Sequence, residues 1–378
     1  MSEQIITIGA LRETVPGERR ITMTLDVAGR YQALGAQLLL ERGLGTSTFL
    51  ADDAFPSENL AASGHEVLQQ ADIILKVQPP SAEELAAMKE GSVLIGLLQP
   101  YANAERVKML QTRKITAFAM ELLPRITRAQ SMDILSSQAA IAGYQCALIA
   151  ANHCPKFFPM LTYAAGTIRP AHVLIIGAGV AGLQAIATTR RLGAMVEAYD
   201  VRPETREQIE SLGAKFVDTG VSAIGAGGYA RELTDDEKQQ QAEKLGRAVA
   251  QCDVLITTAA VPGKRAPRII SADMVAAMKP GALIVDMAAE TGGNVAGTIA
   301  GSYICTANQV HIIGPTHITS NMPVHASEMI AKNLFNFISP FIKEGALTLD
   351  WGDEVLAGTC LTHAGEIRHA DVKQALDL

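Results

Sequence analysis

Residues 1–120 alternate between short apolar runs rich in β-branched residues and segments with helical spacing of apolar positions. Apolar runs of the first kind are typical of buried strands, and apolar residues at every third or fourth position are typical of helices. The alternation predicts a parallel sheet covered by helices. The predicted strands are Ile5–Ile8, Ala36–Glu41, Ile73–Val77, Ser92–Leu97 and Ile115–Ala119, and the predicted helices are Thr24–Leu34, Ala82–Lys89 and Ala104–Thr112.

The same alternation returns in residues 172–317, and residues 325–343 have helical spacing as far as Pro340. The later strands are predicted at Ala214–Val217, Val254–Thr257, Ala282–Asp286 and His311–Ile313. The fold class is therefore α/β, with two Rossmann-like parallel-sheet domains, the second inserted in the first. Residues 1–144 and 321–378 would form an N-terminal βα domain completed by the C-terminal helix, and residues 145–320 the inserted domain. A ligand is expected in the cleft between them.

A glycine-rich corner follows the apolar run at residues 173–176 and leads into a helix-forming segment. Gly177 permits the tight turn, Gly179 lets the backbone approach a pyrophosphate, and Gly182 lets the helix pack on the strand. Asp200 ends the next strand, where a carboxylate accepts hydrogen bonds from an adenosine ribose and repels a 2′-phosphate. This pattern predicts NAD(H) binding by the inserted domain. The alternatives are a glycine-rich turn without a ligand, and a 2′-phosphate held by Arg202.

Residues 218–241 are rich first in glycine and then in charge, and they are too long for a simple connection. A mobile loop over a ligand site is one interpretation, and a disordered insertion is the other.

Composition narrows the function further. The chain has 378 residues, 48% of them hydrophobic, which is enough to fill large cores. Its net charge of −7 argues against nucleic acid as the main partner but leaves a protein partner open. The five cysteines lack CxxC spacing, so we expect reduced thiols and no metal site. Residues 1–4 have no basic region, which predicts no secretory signal, and no segment is predicted to cross a membrane.

A polar loop followed by a helix is predicted within residues 120–145. Gln130, Asp133 and Ser136 are three residues apart, so they would lie near one face of a helix. Asp133 could accept from a carboxamide NH₂, Gln130 and Ser136 could bond the carboxamide or a ribose, and Arg125 could reach a carbonyl or phosphate. A capped surface helix with a solvated polar face is the alternative.

The run Arg-Ile-Thr-Arg-Ala-Gln-Ser-Met-Asp-Ile-Leu-Ser-Ser-Gln at residues 125–138 closely resembles a signature of the soluble NAD(H)-binding component of proton-translocating nicotinamide nucleotide transhydrogenases. The resemblance continues through residues 164–167, 177–187, 200–202, 228–230, 257–264 and 286–294, and it covers nearly the whole chain. That family is related to alanine dehydrogenase and shares its two-domain fold.

The resemblance implies a cytoplasmic oxidoreductase that forms a homodimer and binds NADH in the interdomain cleft. It would dock on an NADP(H)-binding component held by a membrane proton-channel component, and so lie peripherally on the cytoplasmic face of the inner membrane, without inserting into it. Arg125, Gln130, Asp133 and Ser136 would orient the nicotinamide without acting as acid or base. The other implied cofactor contacts are Ile126, Thr127, Arg128, Gly177, Ala178, Gly179, Val180, Ala181, Gly182, Asp200, Val201, Arg202, Gly228, Tyr229, Gln241 and Ala260, although the family often has Leu at the last position.

Two other functions compete with hydride transfer between nicotinamides. An alanine dehydrogenase-like enzyme would oxidise a small amino acid, which requires a base to remove a proton. Arg20 and Lys76 match that enzyme's substrate-binding residues, but Leu97-Leu98-Gln99-Pro100 stands where its catalytic histidine is expected. We therefore expect Arg20 and Lys76 to make structural ion pairs. The third function is an NAD(H)-sensing binding module.

Overall fold

The computed structural model of the protein describes residues 5–223, 231, 233–261, 263 and 265–378. The chain divides into two compact units. The first unit comprises Met1–Gln138 and Ser320–Leu378, and the second unit is the continuous segment Ala139–Thr319. The first boundary falls within a long helix, somewhat before the position expected from the sequence.

Short helices and strands alternate through both units. The helices are α1 (Leu25–Ala33), α2 (Gly64–Gln70), α3 (Ala82–Ala87), α4 (Ala104–Thr112), α5 (Ile134–His153), α6 (Val180–Arg191), α7 (Thr205–Ser211), α8 (Asp235–Gln251), α9 (Ala272–Ala276), α10 (Pro323–Ile338), α11 (Glu354–Thr359) and α12 (Ala370–Ala375). The strands are β1 (Thr7–Ala10), β2 (Gln37–Glu41), β3 (Leu60–Ala61), β4 (Ile73–Lys76), β5 (Val93–Gly96), β6 (Thr116–Ala119), β7 (Leu161–Tyr163), β8 (Gly166–Ile168), β9 (His172–Ile176), β10 (Met195–Tyr199), β11 (Lys215–Phe216), β12 (Val254–Thr257), β13 (Leu283–Asp286), β14 (Tyr303–Cys305), β15 (His311–Ile313), β16 (Ile342–Lys343), β17 (Ala346–Leu347), β18 (Cys360–His363) and β19 (Glu366–Ile367).

The sheet of the first unit has the order β19-β18-β6-β5-β4-β1-β2-β3. Its strands from β6 to β3 are parallel, whereas β18 and β19 add an antiparallel edge. Strands β4, β5 and β6 are buried at every position, because helices cover both faces of a parallel sheet. The strand order reverses between β1 and β4, so a crevice opens at their carboxyl ends.

The sheet of the second unit has the order β11-β10-β9-β12-β13-β15-β14. Apart from the antiparallel edge strand β14, its strands are parallel. Its order reverses between β9 and β12, which is the position where doubly wound folds bind nucleotides. Both units therefore confirm the predicted α/β class with parallel sheets.

The prediction of an irregular segment over residues 218–241 is wrong for its last part, because α8 already begins at Asp235. Thr234 caps this helix through the Glu237 N–H, and the Glu237 carboxylate bonds back to the Thr234 N–H. Such a capping box stabilises a helix start even where the sequence is highly charged. Residues 224–230 and 232 lie outside the described residues.

Helix α5 is long and apolar enough, by length and composition alone, to cross a membrane, which departs from the expectation that no segment is. Within the protein, 44% of its most apolar window is buried, and the core helices of globular proteins meet the same criteria. Gly143 of α5 packs directly on the first turn of α6. A Cβ atom at Gly143 would lie 2.0 Å from the Ala181 carbonyl oxygen.

We predict that Gly143→Ala lowers the free energy of unfolding by at least about 2 kcal/mol, because a methyl group cannot share that space with backbone. Gly29→Ala is the matched control. Gly29 is exposed on α1 and nothing lies within 4 Å of its hypothetical Cβ, so alanine should stabilise the protein by about 0.5–1 kcal/mol. Urea unfolding of the two variants measures both effects. A Gly143→Ala variant as stable as the parent chain would contradict the contact.

Candidate functional site

The glycine-rich corner lies at the point where the strand order of the second unit reverses. Gly177 has a φ of 93°, and a Cβ there would lie 2.7 Å from the Thr258 hydroxyl oxygen. A Cβ on Gly182 would lie 1.8 Å from the Gly177 carbonyl oxygen. The protein's own packing therefore requires glycine at both positions, and the start of α6 is pressed against the end of β9.

Gly179 is different, because no heavy atom lies within 4 Å of its hypothetical Cβ. It is exposed, with a φ of −75° that any residue can adopt. Gly179 is also the N-cap of α6 and provides no side-chain cap, so the first N–H groups of the helix, from Val180 onward, remain available to an anion. Neither packing nor backbone conformation explains a glycine here, whereas a ligand approaching the backbone would.

Asp200 follows β10, next to this corner, and it is buried. One carboxylate oxygen accepts from the Ala178 N–H at 2.7 Å and from Arg202 Nη2 at 2.7 Å. The other accepts from the Arg202 N–H and Arg202 Nε, each at 2.9 Å. The Arg202 guanidinium is thus held in two-point contact by Asp200, and Val201 between them is half-buried.

Three further predicted contacts of the second unit have unequal support. Gln241 on α8 donates to the Tyr199 hydroxyl at 2.7 Å, so it lies beside the end of β10. Burial raises the pKa of the Tyr199 hydroxyl, which keeps it neutral. Ala260 is exposed in the segment after β12. Gly228 and Tyr229 lie outside the described residues.

Sequence reasoning missed two residues that shape this end of the sheet, Thr258 and Asn294. The Thr258 hydroxyl donates to the Gly177 carbonyl at 3.1 Å. Asn294 is fully buried; its amide donates to the carbonyls of Ala259 and Pro267, and its carbonyl accepts from the Ala259 N–H. These bonds fix the segment that contains Ala260. A lone asparagine has no spacing signal that would reveal such a role.

The polar segment of the first unit differs from its prediction. Residues Thr127–Met132 form a 3₁₀ turn, and α5 begins only after Asp133. Gln130, Asp133 and Ser136 therefore do not share one helix face, which corrects the prediction from their spacing. The Asp133 carboxylate instead accepts from the Ser136 N–H at 2.9 Å and from its hydroxyl at 2.5 Å, which is the geometry of a helix N-cap.

Arg125, Thr127, Arg128 and Gln130 are exposed, and Ile126 is half-buried. The Arg128 guanidinium makes a two-point ion pair with Asp353, with distances of 2.7 and 2.8 Å. Hydrogen bonds from Arg128 lower the pKa of the Asp353 carboxyl. Asp353 also caps α11, so it connects this segment to the C-terminal part of the first unit. The Arg128 side chain is therefore already engaged within the protein.

Arg20 follows β1, at the reversal point of the first unit's sheet, and it is buried in an ion pair. Its guanidinium donates to both oxygens of Glu18, at 2.7 and 2.6 Å. Gln78 and Ser320 also donate to the same carboxylate. Burial alone would raise the pKa of Glu18, but the hydrogen bonds and charge of Arg20 outweigh it, and the pKa falls to about 2.

Lys76 at the end of β4 is buried between two carboxylates, Glu13 at 3.1 Å and Glu84 at 2.9 Å. Burial alone would lower the pKa of Lys76, but these two charges raise it. Arg20 and Lys76 thus make the structural ion pairs expected from the sequence.

The segment 97–100 carries no group suited to proton transfer. Gln99 is exposed with a φ of 47°, and Leu98 is buried. Their backbone N–H groups donate to the Glu121 carboxylate at 2.7 and 3.0 Å. Across the described residues, no cluster of His, Cys, Asp or Glu is arranged to hold a metal ion.

Comparisons with known proteins agree with the motif resemblance. Residues 9–142 and 146–370 match the families described as "Alanine dehydrogenase/PNT, N-terminal domain" and "Alanine dehydrogenase/PNT, C-terminal domain". The chain is 44% identical to the first of the separate chains that make up NAD(P) transhydrogenase subunit alpha of Rhodospirillum rubrum, over 95% of this chain and 96% of that protein. It is 40% identical to NAD(P) transhydrogenase subunit alpha of Haemophilus influenzae, over 95% of this chain and 71% of that protein. The crystal structure of transhydrogenase from Sinorhizobium meliloti matches with a TM-score of 0.86 and 39% identity, covering 96% of this chain and 99% of that one.

We predict that Gly179→Ala weakens NADH binding by at least about tenfold, because the added methyl would stand between the ligand phosphates and the N–H groups of α6. Its melting temperature should stay close to that of the parent chain, since nothing in the protein meets the methyl. Gly182→Ala is the contrasting variant and should lose stability itself. A fluorescence titration with NADH and thermal unfolding measure the two quantities. Unchanged NADH affinity in Gly179→Ala would count against a phosphate site at this turn.

Proposed function

Because the chain belongs to the alanine dehydrogenase/PNT family, we propose that it is the NAD(H)-binding component of a proton-translocating transhydrogenase. It would pass a hydride between NAD(H), bound here, and NADP(H), bound on a partner component. The observation that carries this proposal is the open Gly179 beside uncapped α6 N–H groups, in a chain 44% identical to a transhydrogenase subunit.

The charges around Asp200 favour NAD(H) over NADP(H) at this site. Asp200 is the acidic residue that would bond the adenosine ribose, and its negative charge opposes a 2′-phosphate. Arg202 would be the natural partner of a 2′-phosphate, but its guanidinium is held by Asp200 at 2.7 and 2.9 Å. The phosphates would lie against residues 177–182. Val201, Gln241, Ala260, Gly228 and Tyr229 are proposed to complete the contacts.

The polar segment of the first unit is proposed to orient the nicotinamide. Gln130 offers an exposed amide, and Arg125 an exposed guanidinium. Asp133 and Ser136 hold each other, so they would present one fixed polar pair to the carboxamide or ribose. Ile126, Thr127 and Arg128 would contribute backbone or side-chain contacts. NADH supplies the hydride itself, so these residues need only hold the ring in place, and none has to donate or accept a proton.

An alanine dehydrogenase-like activity is the main alternative. It would need a base at residues 97–100 and free cations for a substrate carboxylate. Gln99 cannot act as a base, and Arg20 and Lys76 are already neutralised by Glu18, Glu13 and Glu84. An NAD(H)-sensing module remains the non-catalytic alternative, and a reaction distinguishes it.

The reaction that tests this function uses NADH deuterated on the transferred hydrogen. Mixed with an NADP(H)-binding transhydrogenase component and NADP⁺, the chain should deliver deuterium directly to NADPH, because no group stands ready to exchange it with water. Alone with NAD⁺ and alanine, lactate or malate, it should be inactive. Label lost to water would contradict direct transfer. NADH formation from alanine would favour the dehydrogenase, and tight NADH binding without any transfer would favour the sensing module.

We also propose that the chain forms a homodimer through the hairpin β7–β8. This hairpin pairs only with itself among the described strands, and such isolated hairpins are marginally stable in water. Apolar side chains around it are unusually exposed, with Met160 at 64% and Tyr163 at 51%. A second copy of the chain would cover this patch.

The double variant Met160→Glu/Tyr163→Glu should sediment as a monomer, because charges on the hairpin would repel across a twofold interface. Met195→Glu is the control, since Met195 is comparably exposed at the start of β10, away from the hairpin. Sedimentation equilibrium gives the mass of each variant. A parent chain that is monomeric, or a double variant that remains a dimer, would refute the proposed interface.

The remaining elements of the proposal concern partners and location. The NADP(H)-binding component would in turn be held by a membrane component that conducts protons. The chain would then be cytoplasmic and lie peripherally on the inner membrane through these partners. The name of the Rhodospirillum rubrum relative describes one portion of a divided alpha subunit, which supports the presence of other subunits.

A further inference from the structure

Asn333 is a polar residue on the buried face of α10. Its neighbours on that face, Ile330, Leu334 and Phe337, are fully buried in the core of the first unit. Asn333 itself is only 8% exposed. Burying an amide costs free energy unless its donors and acceptor find partners. The partners of Asn333 therefore indicate what this side chain does.

Both ends of the Asn333 amide bond to the polar segment around Asp133. Its Nδ2 donates to the Ser131 carbonyl at 2.8 Å, and its Oδ1 accepts from the Ser137 hydroxyl at 2.7 Å. Ser131 precedes Asp133 by two residues and Ser137 follows it by four, so one side chain holds the chain on both sides of Asp133. Asn336, one turn further along α10, donates to the same Ser131 carbonyl at 3.0 Å.

The segment has few internal bonds to hold it in this conformation. A 3₁₀ turn has poorer hydrogen-bond geometry than an α-helix. The bond from the Asp133 N–H to the Gln130 carbonyl is long, at 3.4 Å. Gln130 is exposed and adjoins Ser131, so its backbone direction depends on where the Ser131 peptide is fixed. The outer end of the turn is held separately, by the ion pair between Arg128 and Asp353.

We propose that Asn333 is a positioning residue for hydride transfer, acting through the Ser131 peptide on Gln130 and Asp133. The inference rests on the proposed function for its kinetic consequence. Its structural part is independent: without the Asn333 amide, the turn at residues 127–132 loses its anchor. A misplacement of about 1 Å can slow a reaction by roughly 100-fold while binding changes little.

The test compares Asn333→Ala with Ser327→Ala. Ser327 is a matched control because it is fully buried on the same helix and bonds the Ile21 N–H and the Pro323 carbonyl, away from the polar segment. Hydride transfer is measured in single turnovers with deuterated NADH and the NADP(H) component, beside an NADH titration. We expect Asn333→Ala to be roughly 10- to 100-fold slower with NADH affinity within about threefold. Ser327→Ala should lose stability but keep its rate. Equal rates in the two variants would overturn the proposal.

A double-mutant cycle with Gln130→Asn separates positioning from general destabilisation. Gln130→Asn should itself slow transfer more than it weakens NADH binding, because the shorter amide misplaces the ring. If Asn333 acts through Gln130, the rate losses of Asn333→Ala and Gln130→Asn are less than multiplicative. Independent, fully multiplicative losses would contradict an action through Gln130.

Two further measurements keep the inference testable on its own. Asn333→Asp preserves the size and the acceptor but removes the donor to Ser131, and it serves if the alanine variant does not fold. Amide hydrogen exchange of residues 127–133, without any partner, should speed up in Asn333→Asp and not in Ser327→Ala. Unchanged exchange would refute the anchor. A parent chain that transfers no hydride, but shows this exchange difference, would refute the proposed function and leave the anchor intact.

Discussion

The second unit depends on one backbone contact, the approach of the first turn of α6 to the end of β9. Gly182 makes this approach possible from within the turn, since any side chain there would overlap the Gly177 carbonyl. Gly143 presses on the same turn from α5. The first N–H groups of α6 are therefore held between two glycine contacts. A helix start fixed this tightly can offer its dipole and its free donors to phosphates without having to rearrange.

The two units use the same topology for different purposes. Each sheet reverses its strand order next to its first strand, β1 in the first unit and β9 in the second. At the reversal point of the second unit the backbone is bare and its donors are free. At that of the first unit the space is occupied by Arg20, Lys76 and the carboxylates that neutralise them. The fold class alone therefore does not identify the ligand site, and the side chains at each crevice do.

Long apolar runs made the parallel strands predictable, and β12 and β15 have the bounds that the sequence suggested. The antiparallel edge of the first unit was missed because β19 is only two residues long and lacks a pattern of its own. The polar segment was placed on one helix because a three-residue period does not distinguish a 3₁₀ turn plus a cap from a continuous helix. The contacts of Arg128 with Asp353 and of Ser131 with Asn333 join residues far apart in sequence, so no local pattern could reveal them.

The insertion of one unit into the other also orders the events of synthesis. A ribosome completes the second unit at Thr319 before it has made α10 or the edge strand β18. Strand β6 must wait for β18, because Phe118 pairs with Cys360 near the far end of the chain. Domains generally fold as units while the chain emerges. The nascent nucleotide-binding unit can thus fold first, while the first unit keeps an unpaired sheet edge exposed until synthesis is nearly finished.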